Sequence, residues 1–383
     1  MKKIALATAV SALFAAPVAA FAQAKPPAVP TLDKVLEASG ITESGYIDFG
    51  YTYANRNIQG LGTPPFGVNT RVFDAQNNSF ALHQVGLTLA KQPKEGFGGL
   101  VNVTIGSDAQ VIHSFPENNV TTGNSSMFDV TQAYLQYAGG PLTVIGGKFT
   151  TLHGTEVIAS PSNTNISRSM LFGAVPFTHT GLRATWAASD AVSVIVGANN
   201  GWDQLTDQNR GKTAEVGVIL TPIKPLSITV SGYSGDEFST VSLQTGVRTT
   251  ANIVASYAFT DAFSLGLEYL DFSQDKALAN GGKAKYSGFA GYLTYMLNPK
   301  WRAVFRAESF DDHDGFHFGT TALATPGTKY TEGTLTLAYL PNDSVELRGE
   351  VREDKANQAV FRDFSGSTSK TLMTLGLQGL YKF

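Results

Sequence analysis

Cysteine is absent from the 383 residues, so the chain holds no disulfide and no thiolate metal site, and nothing in it mispairs in an oxidising compartment. Charge is scarce too. Asp, Glu, Lys and Arg make up 15% of the chain, and the net charge of −3 is spread along it, which argues against a nucleic-acid partner. Beyond the first residues there is no apolar run of about 18, so no membrane helix is readable. Disorder does not fit, because 43% of the residues are hydrophobic.

The first residues read as an export signal. Lys2 and Lys3 form a positive start, residues 4–20 are apolar and alanine-rich, and Ala20-Phe21-Ala22 supplies a small-x-small cleavage pattern. A single membrane anchor is the alternative, but Pro17 interrupts the stretch and no positive stop comes after it. The expected organisation is a signal peptide over 1–22, a periplasmic linker with a short helix over 23–44, and one large domain over 45–383. Pro26, Pro27 and Pro30 stiffen the linker, and residues 31–38 make two helical turns capped by Thr31.

From Gly45 onward the apolar residues recur with period two. Ile47, Phe49, Tyr51 and Tyr53 alternate with Asp48, Gly50 and Thr52; Val345, Leu347 and Val351 alternate with Glu346, Arg348, Glu350 and Arg352. Alternation alone also fits a β-sandwich, whose apolar face would be the core. The connections separate the two. Short turns fall at 92–95, 139–141, 189–191, 222–225, 260–262, 298–300 and 341–344. Long loops fall at 54–78, 107–127, 152–178, 199–211, 234–247, 272–284, 311–327 and 353–369, strictly alternating with the turns. Fifteen connections mean sixteen strands. An even count, with short periplasmic turns and long extracellular loops, is the pattern of an all-β, antiparallel up-and-down barrel of an outer membrane. Tyr137, Tyr257, Tyr295, Trp301, Tyr339 and Tyr381 lie beside the short turns, where an aromatic girdle is expected.

Several stretches resemble the β-barrel porin family called OmpL-like: TLDKVLEASGITESGYIDFGYTYA (31–54), NSFALHQVGLTLAKQPKEGFGGLVNV (78–103), FDVTQAYLQYAGGPLTVIGGKFTTL (128–152) and SRSMLFGAVPFTHTGLRATW (167–186), and then NNGWDQ (199–204). The resemblance implies an outer-membrane porin and no catalytic residue. The closing Phe383, alternating with Tyr381, Leu377 and Leu375, resembles the signal read by the barrel-assembly machinery.

On this reading the partners are outer-membrane lipid, the assembly machinery and small solutes, with an oligomer left open. The polar strand faces form the wall of a water-filled lumen. Its charged residues include Lys148, Arg183, Glu268, Arg302, Arg306, Glu308, Arg348 and Glu350; with Asp48, Glu215, Glu332, Glu346 and Arg352 they come to six basic and seven acidic groups. Such balance implies weak ion selectivity. Arg302, Arg306, Arg348 and Arg352 would form a basic ladder, or simply pair with acids across strands. The third loop, the longest, is placed like the inward eyelet of general porins, and Glu156 and Arg168 would be its charged groups; an ordinary surface loop is the alternative. Asp311, Asp312, His313, Asp314 and His317 cluster without a fixed metal-ligand spacing. His83, His153 and His179 invite a hydrolase reading, but no G-x-S-x-G elbow occurs. Neither a metal nor a cofactor is expected, since no Walker loop is present either. The expected function is passive passage of small hydrophilic solutes and ions. The competing one is a non-conducting barrel acting as adhesin, receptor or envelope structural protein.

Overall fold

The computed structural model describes residues 31–58, 70–117, 126–318 and 326–383. The expected export signal and the proline-rich stretch after it lie outside the described residues. The chain divides in two at Ser39 and Gly40. In the first unit, helix α1 (Leu32–Ser39) is held by Val35 N donating to Thr31 O and by Ser39 Oγ donating to Leu36 O, at 3.2 and 2.7 Å.

The second unit is strand almost throughout. In chain order come β1 (Thr42–Ala54), β2 (Ser79–Lys91), β3 (Gly96–Ile105), the short helix α2 (Ala109–Ile112), β4 (Phe128–Gly139) and β5 (Leu142–Thr150). After the third loop, which carries the helical turn α3 (Met170–Gly173), stand β6 (Thr178–Ser189), β7 (Val192–Asn199), β8 (Thr213–Ile223), β9 (Leu226–Phe238) and β10 (Thr245–Ala258). Then come β11 (Phe263–Gln274), β12 (Ala284–Asn298), β13 (Trp301–Asp312), β14 (Thr328–Asn342) and β15 (Val345–Ala356). A two-residue hairpin, β16 (Phe361–Arg362) with β17 (Thr368–Ser369), decorates the last loop before β18 (Thr371–Lys382). Sixteen of these strands pair antiparallel with their chain neighbours, and β1 pairs with β18 to close the barrel.

β1 starts at Thr42, three residues ahead of the expected 45. The fifth and sixth loops are shorter than expected, at 239–244 and 275–283, because pairing does not stop where apolar alternation stops. Thr245 opposite Phe238 and Arg248 opposite Gly235 carry the ladder on through polar sequence. Backbone hydrogen bonding needs no greasy face.

Burial is inverted relative to a water-soluble fold. Phe305, Leu335, Leu337, Leu347, Leu375 and Leu377 are exposed on the outer face, while Arg306, Glu332, Thr336, Glu350 and Arg352 are buried inside. Only lipid makes this arrangement favourable, since it covers the apolar rows while the closed ladder satisfies the backbone. On the short-turn rim, rings pair on the outside: Phe97 with Tyr137 at 5.0 Å, Trp301 with Tyr339 at 4.9 Å, Tyr381 with Phe383 at 5.9 Å. Closure is finished by the last residue. Phe383 N donates to Gly45 O at 2.9 Å and Gly45 N donates back at 2.8 Å, and the Phe383 ring lies where a Cβ on residue 45 would be. Glycine there is a steric requirement.

Leu335 sits mid-strand and outward, opposite Phe305 and Val351. Leu335→Arg should cost about 2–4 kcal/mol of barrel stability in lipid vesicles, read from urea unfolding. An unchanged midpoint would mean that this face does not meet lipid.

Candidate functional site

The third loop, residues 151–177 between β5 and β6, does not stay at the rim. It crosses the interior and meets strands on the far side. A loop that leaves water carries a row of N–H and C=O groups with no ladder to join, and each must find a partner. The wall supplies them.

The loop is first received by β9, β10 and β11. Leu152 N donates to Tyr233 Oη at 2.9 Å, Gly154 N to Asn252 Oδ1 at 3.0 Å, and Thr155 N to Glu268 Oε2 at 2.9 Å. On the opposite arc, Glu350 accepts from Ile166 N at 2.6 Å and Ser167 N at 2.9 Å. Glu308 accepts from Met170 N at 2.8 Å and Leu171 N at 3.0 Å. Arginines take the carbonyls. Arg348 donates to Asn163 O at 2.7 Å and Asn165 O at 3.1 Å, Arg352 to Arg168 O at 2.6 Å, and Arg306 to Ser167 O at 2.7 Å. Gln84 on β2 both accepts from Ser160 N and donates to Ile158 O, at 3.2 and 2.9 Å.

Arg306 is the hub. Its Nη1 reaches Glu156 Oε1 at 2.7 Å, and its Nε reaches Glu332 Oε2 at 3.0 Å, with its own side chain fully buried. Glu156 in turn accepts from Ser169 N at 2.7 Å. One guanidinium thus ties both limbs of the loop to β14. Arg168 turns back into its own loop, donating to the carbonyls of Val157, Ile166 and Ile158 at 3.1, 3.2 and 3.0 Å, with Phe73 and Phe172 beneath its guanidinium. It braces the loop's curvature. Of the remaining sequence-predicted wall residues, Lys148 pairs with Asp129 and donates to Val130 O at 2.8 Å. Arg183 grips Glu215 at 2.5 and 3.0 Å, and Arg302 pairs with Glu346.

The basic ladder expected from Arg302, Arg306, Arg348 and Arg352 is therefore not a row of free charges. Each is ion-paired, and the last three also hold loop carbonyls. Asp312, from the acidic histidine cluster, accepts from the backbone N–H of Phe316, His317 and Phe318, and among the described residues no group of three His, Asp or Glu is placed to hold a metal ion. His153 lies between Ser231 at 2.7 Å and Thr250 at 2.9 Å with all three buried, His179 bonds Gly201 O, and His83 bonds Asp108. No serine–histidine–acid relay is assembled among these. Sequence reasoning put Glu332 on the wall without its role in the clamp, and it missed Asn252 and Tyr233, whose only mark was a polar inward position in a strand.

A closed barrel of sixteen antiparallel strands, outward apolar and with one long loop clamped inside, defines an outer-membrane β-barrel of the porin class. The chain belongs to the family described as "Putative beta-barrel porin-2, OmpL-like", whose profile matches residues 40–383. No curated protein matches in sequence. Solved structures with a similar fold include the outer membrane channel DcaP of Acinetobacter baumannii, 15% identical over 90% of this chain and 97% of that one, TM-score 0.60. An anion-selective porin from Comamonas acidovorans is 14% identical over 90% and 99%, TM-score 0.60. Pseudomonas putida OprB is 13% identical over 91% and 96%, TM-score 0.60.

Arg168 is the sole Lys or Arg between residues 151 and 177, and it is 1% exposed. Folded barrel should resist trypsin there. Arg306→Met strands Glu156 and Glu332 without their shared cation, a loss on the order of 3–5 kcal/mol. Cleavage after Arg168 should then appear within minutes by mass spectrometry; continued resistance would remove Arg306 from the hub.

Proposed function

We propose that the barrel is a channel for passive diffusion of small hydrophilic solutes and ions across the outer membrane, with the third loop setting its narrowest section. The observation that carries this is the loop itself, drawn inside a sixteen-stranded barrel and fixed by five of the eight expected wall charges, Glu268, Arg306, Glu308, Arg348 and Glu350. A barrel of this strand count encloses an aqueous lumen unless loops fill it. A rigid constriction needs its loop groups satisfied by fixed hydrogen bonds rather than left to solvent. The clamping arginines are each ion-paired, and the wall as a whole carries six basic and seven acidic groups, so little net field is left for ions and selectivity is weak. Outside the clamp, Lys148, Arg183 and Arg302 are paired with Asp129, Glu215 and Glu346.

In this reading the signal peptide is removed after Ala22, both chain ends are periplasmic, and the Phe383 strand is what the assembly machinery reads.

One observation favours a second reading, a non-conducting barrel that works through its loops. On the long-loop side the interior holds an apolar core, in which Ile58, Leu171, Phe272, Phe310, Tyr330 and Phe361 pack together. Planar-bilayer recording separates the two. The channel reading expects stepwise conductance with a reversal potential close to zero in an about tenfold KCl gradient. It also expects larger steps in Glu308→Gln with Glu350→Gln, where the clamp on residues 166–171 is loosened. Silence from folded, vesicle-inserted protein would give the second reading.

A further inference from the structure

Above the third loop, on the long-loop side, lies a cavity of about 270 Å³, close to the lower end of the range for small-ligand sites, about 300–1,000 Å³. Its walls are aromatic: Phe177, Trp202, Phe272, Tyr286 and Phe316. The rings are set against one another. Tyr286 and Phe272 stack at 4.0 Å with planes 6° apart, Phe316 continues the stack at 5.8 Å, and Trp202 meets Phe272 edge-on at 5.6 Å. Such an array is a surface for another flat ring.

Two opposite charges line the same cavity. Arg248 lies over the Trp202 ring at 4.8 Å, and its Nε is used by Gln274 Oε1 at 2.9 Å. Neither Nη makes a hydrogen bond among the described residues; Nη1 is in a long ion pair with Glu237 Oε2 at 3.9 Å, while Glu237 Oε1 accepts from Trp202 N and Thr213 Oγ1. The guanidinium is thus held in place by the indole and a long ion pair, and its Nη hydrogens have room for the closer bonds of a ligand carboxylate. Asp203 commits Oδ1 to Phe177 N at 2.8 Å and Thr178 N at 2.9 Å, while Oδ2 makes no hydrogen bond among the described residues. Burial pushes the Asp203 carboxyl up to about 6, so above pH 7 it is the anion that an ammonium needs. The third polar side chain in the lining, His317, is held neutral by burial, near 4, and adds no charge.

We infer that this cavity captures a small aromatic solute that carries both a carboxylate and an ammonium, with Arg248 taking the first, Asp203 the second and the rings the body. The inference rests on the channel reading only for the release of the captured solute past the third loop into the lumen. Binding itself stands apart from conduction.

The test uses detergent-solubilised full barrel at pH 7.5 and calorimetry with four probes: L-phenylalanine, 3-phenylpropionate, phenethylamine and glycine. L-Phenylalanine should bind tenfold or more tighter than the two single-charge analogues, since each lost charge-assisted contact is worth about that factor, and glycine should not register. Arg248→Gln should erase the preference for L-phenylalanine over phenethylamine, and Asp203→Asn its preference over 3-phenylpropionate. The probe series on unaltered protein carries the test even where a variant fails to fold. No binding, or 3-phenylpropionate equal to L-phenylalanine, overturns the inference. Channel steps without binding sink the cavity alone, whereas binding by a barrel that never conducts sinks the channel reading and leaves the cavity standing.

Discussion

The interior depends on charge-assisted hydrogen bonds between wall side chains and the backbone of one loop. A neutral loop of 27 residues has no reason to leave water for the inside of a barrel unless its peptide groups are met there. Glu308 and Glu350 each offer two oxygens to two consecutive N–H groups, and Arg306, Arg348 and Arg352 answer with N–H donors to carbonyls. Hydrogen bonds to charged groups contribute about 1.5–3 kcal/mol each where neutral ones give about 1. The arginines stand beside acids on β13, β14 and β15 and are each ion-paired, while Glu308 and Glu350 are held by the loop N–H groups that they orient. A wall of uncharged polar residues would meet the same geometry with weaker bonds. A wall of one sign would be too costly to desolvate.

The barrel was legible from period two and from the sorting of connections by length. These are consequences of covalent geometry and of lipid: side chains alternate because the strand is pleated, and short turns cluster because one rim faces a compartment where little is displayed. Strand ends were less legible at β9 and β10, where Thr245 to Arg248 pair without any apolar signal. The inward position of Glu268, Arg306, Glu308, Arg348 and Glu350 could be read from their alternation with Leu and Val. Their partners could not. Nothing in the order of residues says that Glu350 lies 2.6 Å from Ile166 N, 184 positions earlier in the chain. Arg168 looked like a charge for solutes and is a brace for its own loop, because a guanidinium with three carbonyls in reach has its donors committed there.

Function arises from what the clamp leaves over. On the proposed channel reading, arginines paired with acids and glutamates committed to loop N–H groups position the loop and leave little charge for selectivity. The loop is rigid where it must define a section, and the remaining charged pairs beneath it, such as Arg302 with Glu346, stay balanced. On the other side of the loop, the aromatic cavity of Trp202, Phe272 and Tyr286 keeps one guanidinium edge and one carboxylate oxygen without hydrogen bonds among the described residues. On the proposed readings, chemistry for recognising a solute thus lies before the narrow section and not within it.

Hydrogen–deuterium exchange of the peptide covering residues 166–171 tests the clamp most directly. The amides of Ile166, Ser167, Met170 and Leu171 are bonded to buried carboxylates, so they should exchange as slowly as strand amides of β13 and β15. Exchange within seconds in the folded barrel, at the pace of a solvated loop, would contradict the clamp.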